Sequence, residues 1–393
     1  MNCVRWKMMN EDGLFEKYRN YAVVNLSNIL HNYRQIRSLY HNVKIMTVMK
    51  GDAYGHGIRT ILPVCDRETD WYAVATVEEG LCIRDCGSGK PILLLGPIPS
   101  GQVVAAAEKR LTFTVSSQDY TKRIADRLNA AGLEADCQVK IDTGLNRTGF
   151  RYRREAASDF LEQVKAVYSV SALHVTGVYT HFACGEATDP QGLAFTELQF
   201  SRYQEALALL KKEGLSTGLN HCCSTGGSIV HPDYRMDMVR LGMMVYGQSI
   251  DNASIREYGL RPAMSWHSFI AQIHNVKAGE SVSYNCLFKA EKDMRVGIVT
   301  TGYGDGYMAP YSTKVRVIIN DRYAAVLGRV CMDYIIVDIT DIEDVQVGTK
   351  VTLLGNSPSC CVSAMDLAGT CGSTCAEVTH SIDARVPKFY IQD

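Results

Sequence analysis

The sequence predicts a (β/α)8 barrel of the TIM type followed by a mostly β C-terminal domain. Three observations carry this expectation. Eight short apolar runs alternate with helical stretches between Lys44 and Gly247, the order and length of such a barrel. From Leu260 onward, short β-rich runs are broken by Gly, Asp and Asn turns and long helices are few, the texture of an all-β unit. Polar residues also gather at the ends of the predicted barrel strands, the rim where such barrels place their chemistry.

In chain order, Tyr21–Leu26 alternates as a strand, and Ser27 is expected to cap a helix running to about Tyr40. The barrel strands are predicted over Lys44–Lys50, Trp71–Thr76, Pro91–Gly96, Thr112–Ser116, Cys137–Asp142, His174–Phe182, Leu219–Ser224 and Met238–Gly247. Helices are predicted over Asp119–Ala131, Arg154–Tyr168 and Leu193–Glu213. The second domain shows strand runs at Ser265–Val276, Val296–Thr301, Val315–Ile319, Ala324–Val330, Tyr334–Val337 and Lys350–Leu354, with a short helix at Ser363–Gly369. A polar stretch, Asp251–Tyr258, marks the boundary, giving domains over 15–255 and 256–393. A doubly wound open sheet is the structural alternative; it needs a strand-order reversal that sequence does not display.

At 393 residues the chain is too long for one ordinary core. A net charge of −1 gives no electrostatic case for nucleic acid or an anionic membrane. No apolar run reaches the length of a membrane span, and the polar N-terminus lacks the apolar core of a signal peptide. The 14 cysteines lack the paired spacing of a metal site and read as small buried residues of a reducing cytoplasm.

The first predicted barrel strand ends on Lys50, followed by glycines at 51, 55 and 57 with Tyr54 and His56 between them. A lysine at a desolvated site mouth has a lowered pKa and serves as nucleophile or base; the bland alternative is a surface lysine closing a strand. Lys140 and Asp142 end the fifth strand, Thr180 and His181 the sixth, and Ser224, Thr225 and Gly226 follow the seventh, where such barrels hold phosphate. A rim lysine with a phosphate pocket suits either a Schiff-base aldolase or a pyridoxal phosphate (PLP) enzyme. Two residues favour PLP. Arg240 on the eighth strand would stay charged beside a pyridine nitrogen and donate a hydrogen bond without protonating the ring. Tyr284, after Ser281-Val282-Ser283, offers a second acid/base, and racemisation needs one on each face of the α-carbon.

Val48-Met49-Lys50-Gly51-Asp52-Ala53-Tyr54-Gly55-His56-Gly57 is similar to the PLP-lysine signature of alanine racemases. Residues 139–147, Thr180-His181-Phe182-Ala183 and Met238-Val239-Arg240-Leu241-Gly242 resemble that family's barrel motifs. Val282-Ser283-Tyr284, residues 302–307, 328–333 and Arg385-Val386-Pro387 continue the resemblance in register over about 20–390. It implies a homodimer in which each barrel's site is completed by the other chain's β domain. Lys50 would hold the cofactor and act as one base; Tyr284 of the partner subunit would be the other. Arg240 would meet the pyridine nitrogen, and His181 would neighbour the ring. Tyr54, Ser224, Thr225 and the Gly242–Met243 backbone would line the phosphate. Arg147 would contact cofactor and substrate, oriented by Lys140, which is carbamylated in many relatives. Met332 of the partner subunit would bind the substrate carboxylate, Asp333 would support its loop and Tyr303 would line the entry channel.

The chain departs from the family at four places. Gly51-Asp52 replaces Ala-Asn, Ser224 replaces Asn, and Leu145-Asn146 replaces Met-Gly. Most informative is Ala376, where relatives carry a tyrosine beside the phosphate and substrate pocket. The larger pocket implies serine as well as alanine, as in the racemase domains of vancomycin-resistance serine/alanine racemases. The expected activity is therefore L/D interconversion of alanine and serine, supplying D-amino acids for peptidoglycan, in the cytoplasm or on the cytoplasmic side of a membrane-anchored protein. The alternatives are a racemase for larger amino acids or a PLP decarboxylase, which would place an acid at the pyridine nitrogen.

Overall fold

The structure is a computed structural model that describes residues 13–392. The polar stretch up to residue 12 lies outside the described residues. The chain forms two compact units. One comprises Tyr33–Ala53 and Gly57–Val245; the other takes the N-terminal segment to Asn32, Tyr54–His56 and Tyr246–Asp393.

The first unit is a closed parallel barrel. Its strands are Lys44–Val48, Trp71–Val74, Ile92–Leu94, Leu111–Val115, Ala135–Asp142, Leu173–Tyr179, Leu219–His221 and Met238–Leu241. Each pairs in parallel with the next up to Leu219–His221, and Met238–Leu241 returns to pair with Lys44–Val48, Arg240 opposite Met46. A parallel bridge from Ser224 to Arg240 closes the ring, so the open-sheet alternative is excluded. Leu111–Val115 is buried at every position, as expected for a strand covered on both faces.

Helices sit between the strands with local signals that explain their bounds. Ser117 caps Gln118–Ala131, and Gly132, at φ 65°, ends it. Asp189 accepts from the N–H groups of Gln191 and Gly192 to open Pro190–Lys212. Ile58–Cys65, Val77–Asp85 and Val103–Glu108 are helices that the sequence reading did not single out. Their 6–9 residues are too few for a clear period. Ser27 lies inside the helix Leu26–Leu39; the cap is Asn25, whose Oδ1 accepts from Asn28 N–H at 3.0 Å. The eighth strand stops at Leu241, and Met243–Tyr246 is a 3-10 turn.

The second unit is built on a nine-stranded sheet. Its spine is the 13-residue strand Met264–Val276, which pairs with Met294–Val299 and Lys350–Asn356. The first strand, Asn20–Asn25, also belongs here. It pairs antiparallel with Met264–Ser268 and parallel with Lys388–Ile391. The sequence reading had placed it ahead of the barrel strands; alternation marks a strand with one buried face but does not name its partners. Ala364–Cys371 forms the expected short helix, with Ser363 and Asp366 in a capping box. A second helix, Cys375–His380, was not foreseen.

Candidate active site

Lys50 does not end its strand. The strand stops at Val48, Met49 N–H still bonds Ala73 O at 2.8 Å, and the chain leaves the sheet at Lys50. It then turns in the left-handed sense, with φ 63° at Gly51, 49° at Asp52, 58° at Ala53 and 55° at Tyr54. Each non-glycine residue there costs about 1–2 kcal/mol. Glycine at 51 avoids that cost at one position. The turn is held by Ala53 N–H to Met49 O at 2.7 Å and Gly57 N–H to Asp52 O at 2.9 Å. Asp52 Oδ1 accepts from Ile58 N–H at 2.8 Å. The Lys50 amine is lowered from its ordinary value, first by burial, then by Arg147 and Arg240, with Glu79 acting in the opposite direction.

Arg240 is the buried centre of the rim, 4 % exposed. Its Nη2 donates to Cys222 O at 2.8 Å, Thr180 O at 2.9 Å and His181 Nδ1 at 3.1 Å. Its Nη1 donates to His221 Nδ1 at 2.7 Å; none of these bonds uses Nε. Because a guanidinium only donates, both histidines accept at Nδ1 and carry their proton on Nε2. His221 donates this Nε2–H to Gln138 Oε1 at 2.8 Å and stacks on Tyr179, with ring centroids 4.9 Å apart. Burial, then the Arg240 charge, holds His181 and His221 well below the ordinary imidazole value. Both are therefore neutral at pH 7.

Lys140 is buried on strand Ala135–Asp142 and donates to Thr148 Oγ1 at 2.7 Å. Burial, then Arg147 and Arg240, lowers its amine to about 8. Arg147 lies exposed on the loop that follows. Asp142 shapes this loop, its Oδ1 accepting from Gly144 N–H at 2.8 Å and Asn146 N–H at 3.1 Å. At the seventh strand's end, Thr225 is buried and accepts from Gly242 N–H at 3.4 Å. Ser224 precedes it with no capping bond to its own helix, and Met243 follows Gly242. The barrel unit thus brings together Lys50, Lys140, Arg147, His181, Ser224, Thr225, Arg240, Gly242 and Met243.

Tyr54 packs in the second unit, its ring 5.3 Å from that of Tyr246. Burial raises its hydroxyl to about 12, so it remains a donor. Tyr284, Tyr303, Met332, Asp333 and Ala376 also lie in this unit. The loop at 302–305 is laced to the loop at 331–333: Tyr303 N–H bonds Cys331 O at 2.9 Å, and Gly304 N–H bonds Met332 O at 2.8 Å. Arg385 ties both, donating to Asp305 Oδ1 at 2.8 Å and Asp333 Oδ1 at 3.0 Å. Ser283, at φ 67°, donates to Arg329 O at 2.6 Å and presents Tyr284 on a 3-10 turn. Tyr284 is 62 % exposed, Met332 53 % and Tyr303 47 %, a set of large side chains facing outward. Ala376 is half-buried in the first turn of Cys375–His380.

Sequence reasoning missed His221, Gln138 and Glu79. His221 and Gln138 stand among other polar residues of their short strands, so no sequence signal singles them out. The third is visible as the capping box Thr76-x-x-Glu79 ahead of an apolar run. Among the described residues no cluster of His, Cys, Asp and Glu is arranged to hold a metal ion.

The donor set fits PLP. An amine of lowered pKa suits its aldehyde, the unused Nε–H of a buried arginine suits its ring nitrogen, and a hydroxyl and backbone corner beside a cationic rim suits its phosphate.

Two family descriptions match the chain: alanine racemase, N-terminal domain, over residues 24–250, and alanine racemase, C-terminal domain, over 263–390. Alanine racemase 2 of Caldanaerobacter subterraneus subsp. tengcongensis is 34% identical over 382 residues, 96% of either chain. The alanine racemase of Carboxydothermus hydrogenoformans is 33% identical, covering 94% of this chain and 99% of its own. The structure of Clostridium difficile 630 alanine racemase superposes with a TM-score of 0.86 at 30% identity, over 96% of this chain and 97% of that one. With each domain matched in register and the barrel rim built as described, the chain belongs to the alanine racemase family of pyridoxal phosphate-dependent isomerases.

Proposed function

We propose that this enzyme interconverts L- and D-alanine, and L- and D-serine, by a two-base mechanism, supplying D-amino acids for peptidoglycan precursors in the cytoplasm. The observation that carries this reading is Arg240. A permanently charged donor buried among neutral histidines offers the ring nitrogen a hydrogen bond but no proton.

Pyridoxal phosphate, bound at Lys50, supplies an electron-withdrawing ring that loosens the α-proton. Lys50, with its lowered pKa, takes or gives that proton on one face at pH 7. Tyr284 of the partner subunit serves the other face; its outward exposure is what a residue completing a second chain's site requires. Met332 of the partner subunit binds the substrate carboxylate and Asp333 braces its loop, with Tyr303 on the laced loop beside it. Arg147 contacts cofactor and substrate, oriented by Lys140. Tyr54, Ser224, Thr225 and the Gly242–Met243 backbone hold the phosphate. The barrel carries the cofactor, and the β domain acts across a homodimer.

Serine acceptance rests on Ala376. A methyl group where a tyrosine would stand leaves room for a hydroxyl, and a pocket of this kind discriminates by about a hundredfold or less. The test is a chiral product assay with L-alanine and L-serine side by side. Absence of interconversion for both overturns the reading. A serine kcat/KM more than roughly a thousandfold below that of alanine overturns the serine part. Ala376→Tyr should lower serine activity selectively.

A further inference from the structure

We infer that Glu79 is a positioning residue for Lys50: its one carboxylate clamps the left-handed turn that presents the amine. The inference rests on Lys50 being the cofactor-bearing lysine.

Glu79 sits in the first turn of Val77–Asp85. Its Oε2 accepts from Ala75 N–H at 2.9 Å and Thr76 N–H at 3.2 Å, closing the capping box. Its Oε1 reaches across to the Lys50 turn, accepting from Gly51 N–H at 2.6 Å and Asp52 N–H at 3.4 Å. A cap needs only the first pair. The second pair does different work. Gly51 and Asp52 are the residues where the chain enters the left-handed region, a conformation that persists only when its surroundings hold it. A charged acceptor on two successive N–H groups, immediately after Lys50, is such a hold.

The same carboxylate acts on the Lys50 charge. The groups facing that amine are Arg147 and Arg240, which disfavour its protonated form, and Glu79, which favours it. Lys140, on the fifth barrel strand, and His181, just past the end of the sixth, also interact with it. Glu79 is thus the carboxylate that acts on the amine within this cationic surround. Fixing the turn and restoring part of the proton affinity are one function carried by one side chain.

The test compares Glu79→Gln, Glu79→Asp and Thr76→Ala. In Glu79→Gln the amide retains one acceptor and brings two donors against four N–H groups, and the charge is gone. Three readouts are taken: amide hydrogen exchange at Gly51 and Asp52, the pH midpoint for amine labelling of Lys50 in the cofactor-free protein, and kcat and KM of the loaded enzyme. Glu79→Gln should speed exchange at both amides and lower the labelling midpoint. It should reduce kcat by about a hundredfold, the cost of an ångström-scale misplacement, with a smaller change in KM. Glu79→Asp, which keeps the charge, should restore the midpoint in part. Thr76→Ala loses a helix cap and should lower Tm while leaving the midpoint unchanged. If Glu79→Gln lowers Tm like Thr76→Ala with wild-type exchange, midpoint and kcat, the residue is only a cap and the inference fails. Should Glu79→Gln not fold, a wild-type midpoint and kcat in Glu79→Asp with Gly51 and Asp52 exchange unchanged from Thr76→Ala likewise overturns it. Failure of the underlying reading is separately visible: wild-type protein would then show no borohydride-fixed PLP on the Lys50 peptide.

Discussion

Lys140 should be carbamylated, and the structure sets how readily. Its amine lies at about 8 against an ordinary 10.5, because burial, Arg147 and Arg240 all oppose the ammonium. At pH 7 about one molecule in ten then carries a neutral amine, compared with about one in three thousand for an ordinary lysine, a gain of roughly 300-fold in nucleophile. The Nζ lone pair bonds the carbon of CO2 and a proton leaves to solvent, so an anion stands where a cation stood. The stability sign follows from the depressed value. The fold disfavours the charged amine, so the cost is fully present below about 8 and disappears as pH rises through the unfolded value of 10.5. That cost is about 3 kcal/mol. Carbamylation removes it and places an acceptor beside the exposed Arg147 guanidinium. Bicarbonate should therefore raise Tm by about 3 °C or more at pH 7–8. The assay is 13C NMR of protein in 13C-bicarbonate, with Lys140→Ala as reference, alongside thermal melts with and without bicarbonate. A wild-type spectrum lacking any carbamate resonance beyond that of Lys140→Ala, or equal Tm responses in the two proteins, refutes the reasoning.

Three further outcomes are expected. Lys50→Ala should remove borohydride-fixed PLP from the 50-containing peptide and cut racemisation by about 10²–10⁴-fold; retained fixation would mean another lysine holds the cofactor. His221→Phe keeps a ring beside Tyr179 but strips Arg240 Nη1 of its acceptor and Gln138 Oε1 of its donor. Two such losses cost about 2–5 kcal/mol, read as a fall in denaturation midpoint, and a change under about 1 kcal/mol would contradict it. In Gly302→Ala the new Cβ would stand 2.3 Å from Cys331 O and 2.4 Å from Met332 O. The loop bearing Met332 must shift, so KM for alanine should rise more than kcat falls, with PLP fixation on Lys50 unchanged.

Much of this protein was legible in its sequence, and the reasons differ by element. The barrel strands were readable because a strand buried on both faces is a continuous apolar run, as in Ile92–Leu94. Lys50, Tyr54, Arg147, Arg240 and Tyr284 stand out in the sequence because their neighbours match family motifs at fixed spacing. Three things were not legible. The membership of Asn20–Asn25 in the C-terminal sheet depends on partners over 230 residues away. The exit of the chain from its strand at Val48 depends on a left-handed turn, which glycines permit but Asp52, Ala53 and Tyr54 do not announce. His221 and Glu79 matter through the atoms they touch, and a single buried histidine or a helix-opening glutamate has many ordinary uses.

The charges at the rim explain why these scattered residues form one site. Arg147 and Arg240 disfavour the protonated forms of Lys50 and Lys140, and burial together with these four cations keeps His181 neutral. Two carboxylates stand among them, and both are already engaged by backbone: Glu79 by four N–H groups and Asp142 by two. Fold stability alone would not retain the buried Lys140 and Arg240 side by side with Lys50 and Arg147, since buried like charges cost free energy without a counter-charge. With the roles proposed above, the balance would close as the site takes up anions: a phosphate at the Thr225–Gly242 corner, a carboxylate from the amino acid and a carbamate on Lys140. Cofactor, substrate and CO2 would then be three parts of one charge balance. Each should strengthen the hold of the others, because each relieves repulsion that the remaining cations would otherwise bear.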